Sequence, residues 1–356
     1  VLTITITNRN RDLRIVKNCL DSLKRQSNSH FEVTLVDYGS DPTYLKTLQE
    51  LVRLYGFITL IHCETQQQLW NKSRAINIAL KKCETPYFMV GDIDLMFHPE
   101  FVEKALTFGD HNKVTYFKYG FLSKEESLKQ QDFHNYKVAF YGGEEVTGTT
   151  LFPAKVLKSV HGYDEFYHGW GAEDTDIHIR LKNAGLSIYY HETETLVKHQ
   201  WHPKAYRSKS STHPFHSKLE KINHAYMINS EHNNVTVANL SQGWGLPTEK
   251  EFYDKLNLQE DLTLTLNNNQ DQIDAALAHL KNVKNKTLLI QITPVALKVR
   301  IKEQLKERLG KKHQSFLDME VINNMLLIEI IKNYRNQAYN YSFDREKETI
   351  QLKIVL

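Results

Sequence analysis

Hydrophobic and polar positions change period repeatedly along the first hundred residues. Residues 1–8, VLTITITN, alternate β-branched and polar side chains and predict a strand that stops at the polar NRNRD. Over 12–26, Leu13, Val16, Leu20 and Leu23 recur at helical spacing. FEVTLVDYGSD (31–41) predicts a second strand running into a Gly-Ser turn. A helix around 43–55, a strand at 57–63, a helix at 71–83 and an apolar strand over 86–97, PYFMVGDIDLMF, complete the series. Strands alternating with helices predict a parallel, doubly wound sheet. Ligands of such sheets sit at the carboxyl ends of the strands. Asn8, Asp37 and Asp92 fall at those ends.

Beyond residue 99 the period weakens, and 99–145 reads as irregular and polar-aromatic. A helix at 154–160, a turn at HGYDEF and a helix at 173–184 follow, closed by Gly185 before a strand at 186–197. Residues 198–217 are basic, His-rich and without apolar period, which predicts a loop. Helices and turns mix over 218–260; from 261 a fresh alternation begins, with helices at 270–282, 296–309 and 319–333 between strand patterns. Three segments result: 1–215, a 216–260 linker or helical extension, and a small α/β unit at 261–356.

Composition narrows the classes. The 45 basic and 42 acidic residues nearly cancel, which argues against a nucleic-acid partner. Cys19, Cys63 and Cys83 are scattered, so neither a zinc-finger nor a disulfide framework is expected, and a cytoplasmic setting is the simpler reading. Val1 opens the chain inside a strand pattern, which leaves open a longer parent chain or a lost anchor.

Three groups of residues carry chemistry. In GDIDLM, Asp92 and Asp94 stand two apart after an apolar run, so an extended backbone would aim both carboxylates at one cavity. Such a pair wants a divalent cation, although an isolated D-x-D also serves as a solvated turn or a helix cap. His199 and His202, in VKHQWHPK, are imidazoles of the kind that ligate Mn²⁺ or Zn²⁺, or else ordinary histidines of the fold. GWGAEDTD (169–176) sets two glycines and Trp170 before Glu173 and Asp174 at a helix start, where the dipole favours ionised carboxylates suited to a general base. The plainer alternative is a capping acid with Trp170 as a core anchor.

Taken together, TITNRNR, LVDYGSD, NKSRAINIAL, VGDIDLMF, the stretch from Tyr141 to Gly185 and LVKHQWHP resemble the GT-A glycosyltransferases over residues 1–210. The likeness is to the inverting branch with the β-1,4-galactosyltransferases and bacterial chondroitin-polymerase-like family 2 enzymes. It implies a Rossmann-like, mostly parallel GT-A sheet with the C-terminal α/β unit as an appendage. It also implies Asn8, Arg9 and Asp37 at uracil and ribose, Arg74 and Asn77 near the nucleotide, and Asp92 on the donor's ribose or sugar. Gly142 and Gly143 would admit the donor, and Asp94 with His199, or His202 in its place, would bind the metal. Asp174 would be the base, Glu173 its orienting neighbour, and Trp170, Tyr163 and Tyr167 the acceptor pocket. Two departures stand out, Tyr38 and Thr175, each where the family carries an acid.

The implied activity is inverting transfer of a hexose or N-acetylhexosamine from a UDP-sugar to a saccharide hydroxyl, dependent on Mn²⁺ (or Mg²⁺), in bacterial polysaccharide or glycoconjugate synthesis. Lys198 or Arg207 would assist the departing diphosphate, with the 198–217 loop closing over the donor. The competing readings are an inactive carbohydrate-binding relative and a sugar-nucleotide nucleotidyltransferase; the latter wants a Gly-rich phosphate loop that TITNRNRDLR lacks. The basic face of LKVRIKEQLKERLGKK is either merely solvated, the commoner case, or a peripheral contact with the inner membrane face, and the C-terminal unit is a candidate to bind the acceptor polymer, a partner enzyme or a second copy.

Overall fold

The computed structural model describes residues 1–203 and 217–356, and the residues fall into two units. The larger unit takes 1–66, 70–203 and 220–246; the smaller takes 67–69 and 247–356. The division at 246 differs from the expected ones at 215 and 261. The segment after helix α7 (Ser217–His232) returns to the first unit and packs Trp244 into its core beneath the Lys81 ammonium.

In the larger unit, strands β1 (Leu2–Asn8), β2 (Phe31–Tyr38), β3 (Ile58–Cys63) and β4 (Tyr87–Asp92) run parallel. Helices α1 (Leu13–Lys24), α2 (Pro42–Val52) and α3 (Lys72–Lys82) connect them. All seven residues of β1 are buried because it lies mid-sheet between β2 and β4. Its threonines are tolerated there partly through side-chain pairing, as Thr3 Oγ1 donates to Glu32 Oε1 at 2.7 Å.

The predicted strand at 86–97 breaks in two. After β4 the chain turns at Ile93–Asp94 and enters β5 (Leu95–Phe97), which belongs to another sheet. The irregular region also proves structured: helix α4 (Phe101–Thr107), then β6 (Lys113–Phe117), β7 (Tyr119–Leu122) and β8 (Val138–Tyr141). These strands have two to three alternating positions each, too few to register as a period. Further on come β9 (Thr150–Pro153), α5 (Ala154–Ser159) and α6 (Glu173–Asn183). The expected strand at 186–197 is two short ones, β10 (Ser187–His191) and β11 (Val197–His199). The main sheet has the order β10-β6-β9-β4-β1-β2-β3, parallel except for β9; the smaller has the order β5-β11-β7-β8. The two sheets part at the Ile93–Asp94 turn, at the carboxyl end of β4.

The smaller unit is built on α8 (Lys250–Leu256), a β12 (Leu262–Asn267), α9 (Gln270–Leu280), β13 (Thr287–Thr293) crossover, α10 (Leu297–Arg308), α11 (Met319–Glu329) and a hairpin of β14 (Tyr339–Asp344) and β15 (Thr349–Val355). Its sheet order is β12-β13-β15-β14.

One buried ion pair organises the larger unit around α6. Arg180 and Asp176 are both fully enclosed, with Nε to Oδ2 at 2.7 Å. The guanidinium also donates to the carbonyls of Gly162 (2.7 Å) and Val160 (3.2 Å), and Tyr167 Oη donates to Asp176 Oδ1 at 2.9 Å. Removing one member strands the other in the core, which typically costs about 3–5 kcal/mol. Urea unfolding of Asp176→Ala is expected to show a loss of about that size; a loss under about 1 kcal/mol would mean the pair is solvated.

Candidate active site

Two clusters meet at the carboxyl end of β4. The first is the Asp94 group. Because Asp94 lies in a turn, alternation along a strand does not aim it, as the sequence argument supposed; the return strand does. Gln200 N–H donates to the Asp94 carbonyl at 2.8 Å, which clamps the end of β11 against this turn. Gln200 is itself fully buried, its side chain bonded to Asn18 and the Ile15 carbonyl. His199 Nε2 then lies 3.5 Å from Asp94 Oδ1, and His202 Nε2 3.1 Å from Oδ2. Ligand atoms of all three residues lie within 4.8 Å of one another. Both histidines share the site, so His202 is a partner of His199 rather than a substitute.

Whether this set fits a divalent ion can be judged from its own bonding. Asp94 Oδ1 is buried and accepts no hydrogen bond, which is costly unless a cation takes its lone pairs. Burial holds the His199 imidazole below its ordinary pKa, and Asp94 only partly offsets this, so it is a neutral donor near pH 7. Burial would raise the Asp94 pKa, but His199, His202 and the Arg11 guanidinium at 3.2 Å hold it well below the usual carboxylate range. An ionised carboxylate oxygen beside imidazole nitrogens suits Mn²⁺ or a neighbouring divalent ion. The residues fit.

The second cluster surrounds Lys72, which the sequence reading passed over. Its ammonium lies 2.9 Å from Asp174 Oδ2, 3.0 Å from Asp92 Oδ1 and 3.7 Å from Glu173 Oε1. Burial opposes its charge, yet Asp174, Asp92 and Glu173 outweigh burial and raise its pKa. One cation does not neutralise three acids. Burial and the neighbouring Asp174 push Glu173 up to about 7 against the pull of Lys72. Asp92 is also raised, by burial and by Asp94 and Asp174. The Oδ1 of Asp174 is buried without a hydrogen bond.

Helix α6 begins at two of these acids. Its N-cap is Ala172, a left-handed residue with φ 75° and no side-chain cap, preceded by Gly171 at φ 99°. Neither Glu173 nor Asp174 is the cap. Holding Ala172 in that region costs about 1 kcal/mol or more, strain characteristic of functional turns. Asn223 on α7 steadies the turn by donating to the carbonyls of His168 (2.9 Å) and Trp170 (3.3 Å). Gly148 supplies the room: a β-carbon there would lie 2.9 Å from Asp92 Oδ2 and from Tyr119 Oη, and 3.6 Å from Asp174 Oδ2.

Several expected ligand residues are committed elsewhere. Asn77, fully buried, bonds the Tyr163 backbone (2.8 Å) and Glu165 Oε1 (2.9 Å), so it pins the 163–165 turn and does not face a nucleotide. Tyr163 and Tyr167 are in the core, at 0% and 2% exposure, and offer no face to an acceptor. Trp170, at 45%, is exposed. Asn8 and Asp37 are buried and bonded at 2.8 Å, with Ser40 and His62 completing the Asp37 shell. As folded they brace the ends of β1 and β2. Arg9 rests on the carbonyls of Thr65 and Gln66, and Arg74 donates to the Leu246 carbonyl. Gly142 is packed beside Val146 and Phe121, while Gly143 N–H donates to Glu145 at 3.2 Å. Lys198 points away from His199, as successive strand residues must, and its ammonium is held by the Phe133 and Tyr136 carbonyls. Arg207 and the greater part of the expected closing loop lie outside the described residues. Tyr38, in place of an acid, packs edge-on against Trp70, and Thr175 lies 3.4 Å from the Thr147 hydroxyl.

Comparison with known proteins agrees with the motif reading. Residues 3–152 match the family model "Glycosyl transferase family 2", and residues 130–202 match "N-terminal domain of galactosyltransferase". The region bearing both clusters is thus similar to glycosyltransferase domains, and its mixed α/β, mostly parallel sheet agrees with the fold expected from the motifs. Among curated proteins, the teichoic acid poly(glycerol phosphate) polymerase of Staphylococcus epidermidis is 33% identical over 108 residues, 30% of this chain. The match spans 14% of that relative's length. Similar solved structures include S. aureus TarS 1–349 in complex with UDP-GlcNAc, with 17% identity, TM-score 0.48, and 65% of this chain and 69% of that one covered. GalNAc-T7 with UDP, GalNAc and Mn²⁺ gives 14% identity and TM-score 0.49 over 64% of this chain and 48% of that one.

The raised Glu173 pKa has a consequence for stability. With a folded value of about 7 against an ordinary 4.5, its contribution is present below pH 4.5 and is lost as pH rises through 7. Glu173→Gln is therefore expected to unfold at higher temperature than the parent at pH 8, with the difference vanishing near pH 5. Equal melting at pH 8 in metal-free buffer would show that Glu173 is solvated.

Proposed function

We propose that this chain is an inverting glycosyltransferase that moves a hexose or N-acetylhexosamine from a UDP-sugar to a saccharide hydroxyl. The observation that carries the reading is the meeting of an Asp94–His199–His202 set with an Asp92–Lys72–Asp174–Glu173 cluster packed beside Gly148. The two matched family models support it.

Asp94, His199 and His202 would hold Mn²⁺ (or Mg²⁺), which when bound offsets the diphosphate charge as a Lewis acid. Arg11, paired with Asp94 and partly exposed, takes the place of Lys198 as a side-chain cation for the leaving diphosphate. Trp170 lends an apolar face to the acceptor sugar. Asp174 accepts the proton of the acceptor hydroxyl. The freed oxygen pair bonds to the anomeric carbon as the bond from that carbon to the diphosphate oxygen breaks. UDP departs with those electrons, and the configuration inverts in one displacement. Lys72 holds the Asp174 carboxylate in place through their ion pair, and Glu173 and Asp92 position the donor.

The likeness to a teichoic acid polymerase supports an acceptor in a bacterial cell-envelope or related polymer. Three free, buried cysteines suit a cytoplasmic setting. Among the described residues no helix is long and apolar enough to cross a membrane.

Asp174→Asn is expected to lower transfer by about 10²–10⁴-fold while calorimetric UDP-sugar affinity is retained; normal turnover by this variant would remove Asp174 from the chemistry. Asp94→Ala is expected to abolish the enhancement of UDP binding by Mn²⁺. An unchanged Mn²⁺ titration would exclude Asp94 as a ligand. Screening UDP-Gal, UDP-GalNAc, UDP-Glc and UDP-GlcNAc for Mn²⁺-dependent UDP release identifies the donor.

A further inference from the structure

The smaller unit carries a helix whose polarity is reversed. Along α10, Leu297, Ile301 and Leu305, followed by Leu309 at its end, recur every four residues, so they share one slowly winding stripe. In an ordinary surface helix that stripe is buried. Here the four are 71%, 48%, 53% and 68% exposed, whereas the buried residue of the helix is Glu303. Glu303 is held by the Lys306 ammonium at 2.6 Å and by the Gln314 N–H at 3.0 Å. The helix therefore buries a carboxylate, held by its own Lys306 and by the segment that follows it, and turns this aliphatic stripe outward. Single exposed leucines are commonplace; a stripe running the length of a helix of about 18 Å is not.

The charges around the stripe indicate what covers it. Lys298, Arg300, Lys302, Lys306 and Arg308 lie on the helix, and Lys311 and Lys312 follow it, against Glu303 and Glu307 alone. Lys306 is paired with Glu303; among the described residues, no ion pair engages Lys298, Arg300, Lys302, Arg308, Lys311 or Lys312. At 3.6 residues per turn, Lys298, Lys302 and Arg308 fall within or beside the aliphatic stripe. A second copy seated on this face would set those cations against their equivalents, with no acid to separate them. A surface of lipid phosphates satisfies both features at once, with aliphatic groups at the acyl boundary and long basic side chains reaching back to the headgroups. We propose that α10 is an interfacial helix that seats the smaller unit on an anionic lipid surface.

The test is sedimentation of the full chain with sucrose-loaded vesicles of one part phosphatidylglycerol to two parts phosphatidylcholine, beside vesicles of phosphatidylcholine alone. Two triple variants accompany it: Ile301→Ser with Leu305→Ser and Leu309→Ser, and Lys298→Glu with Lys302→Glu and Arg308→Glu. All six side chains are exposed, so parental melting temperatures are expected of both variants. The proposal predicts salt-sensitive binding to the phosphatidylglycerol vesicles and a drop of about tenfold or more in partitioning for each variant. Absence of sedimentation, or variants that sediment like the parent, would overturn it. So would light scattering that shows a parental dimer reduced to monomer by the serine variant, which would assign the stripe to a second copy.

Discussion

Four carboxylates share the cleft at the end of β4 with two permanent cations. Asp92, Asp94, Glu173 and Asp174 outnumber Lys72 and Arg11, and the deficit shows in the raised pKa values of Glu173 and Asp92. A cluster short of positive charge is unfavourable to fold and suited to binding a cation. It also sets the role of Lys72, which keeps three acids within reach of one another until other charges arrive. The two unbonded, buried oxygens on Asp94 and Asp174 belong to the same shortage. Such groups are retained at sites whose partners come from solution.

The surrounding scaffold resists the repulsion that this arrangement creates. Asp176 and Arg180 anchor α6 and the 160–162 turn, and Asn77 and Asn71 fasten α3 to the 163–165 segment. These bonds bring the starts of α3 and α6 together, which places Lys72 against Glu173 and Asp174. On the opposite side, the Gln200 clamp brings the two histidines to Asp94. The acids can face one another because buried hydrogen bonds hold their helices from behind.

The alternation of strands and helices from β1 to β4 was legible because each element is long enough to show its period. Strands β5 to β8 were not, since three to five residues carry too little alternation and their partners are distant in sequence. At the site, Asp94, His199 and His202 stood out by residue type, and the fold brings them together. Tyr163, Tyr167 and Asn77 misled for a single reason: aromatic and amide side chains serve a core as readily as a pocket, and burial decides between them. Lys72 left one trace. It is a cation at the first position of a helix, where the dipole disfavours positive charge, and that mismatch marks an acid nearby. Gly148 and Arg11 gave none, because their importance lies in what surrounds them.

The central claim is that a divalent ion joins the Asp94 group and relieves the charge imbalance. Crystals grown with MnCl₂ and UDP, measured at the manganese absorption edge, test it most directly. The account predicts an anomalous peak bounded by the Asp94 carboxylate and the Nε2 atoms of His199 and His202, with the diphosphate on its open side. A peak elsewhere, or UDP seated in the cleft with Asp94 still held by Arg11 and no peak beside it, would contradict the account.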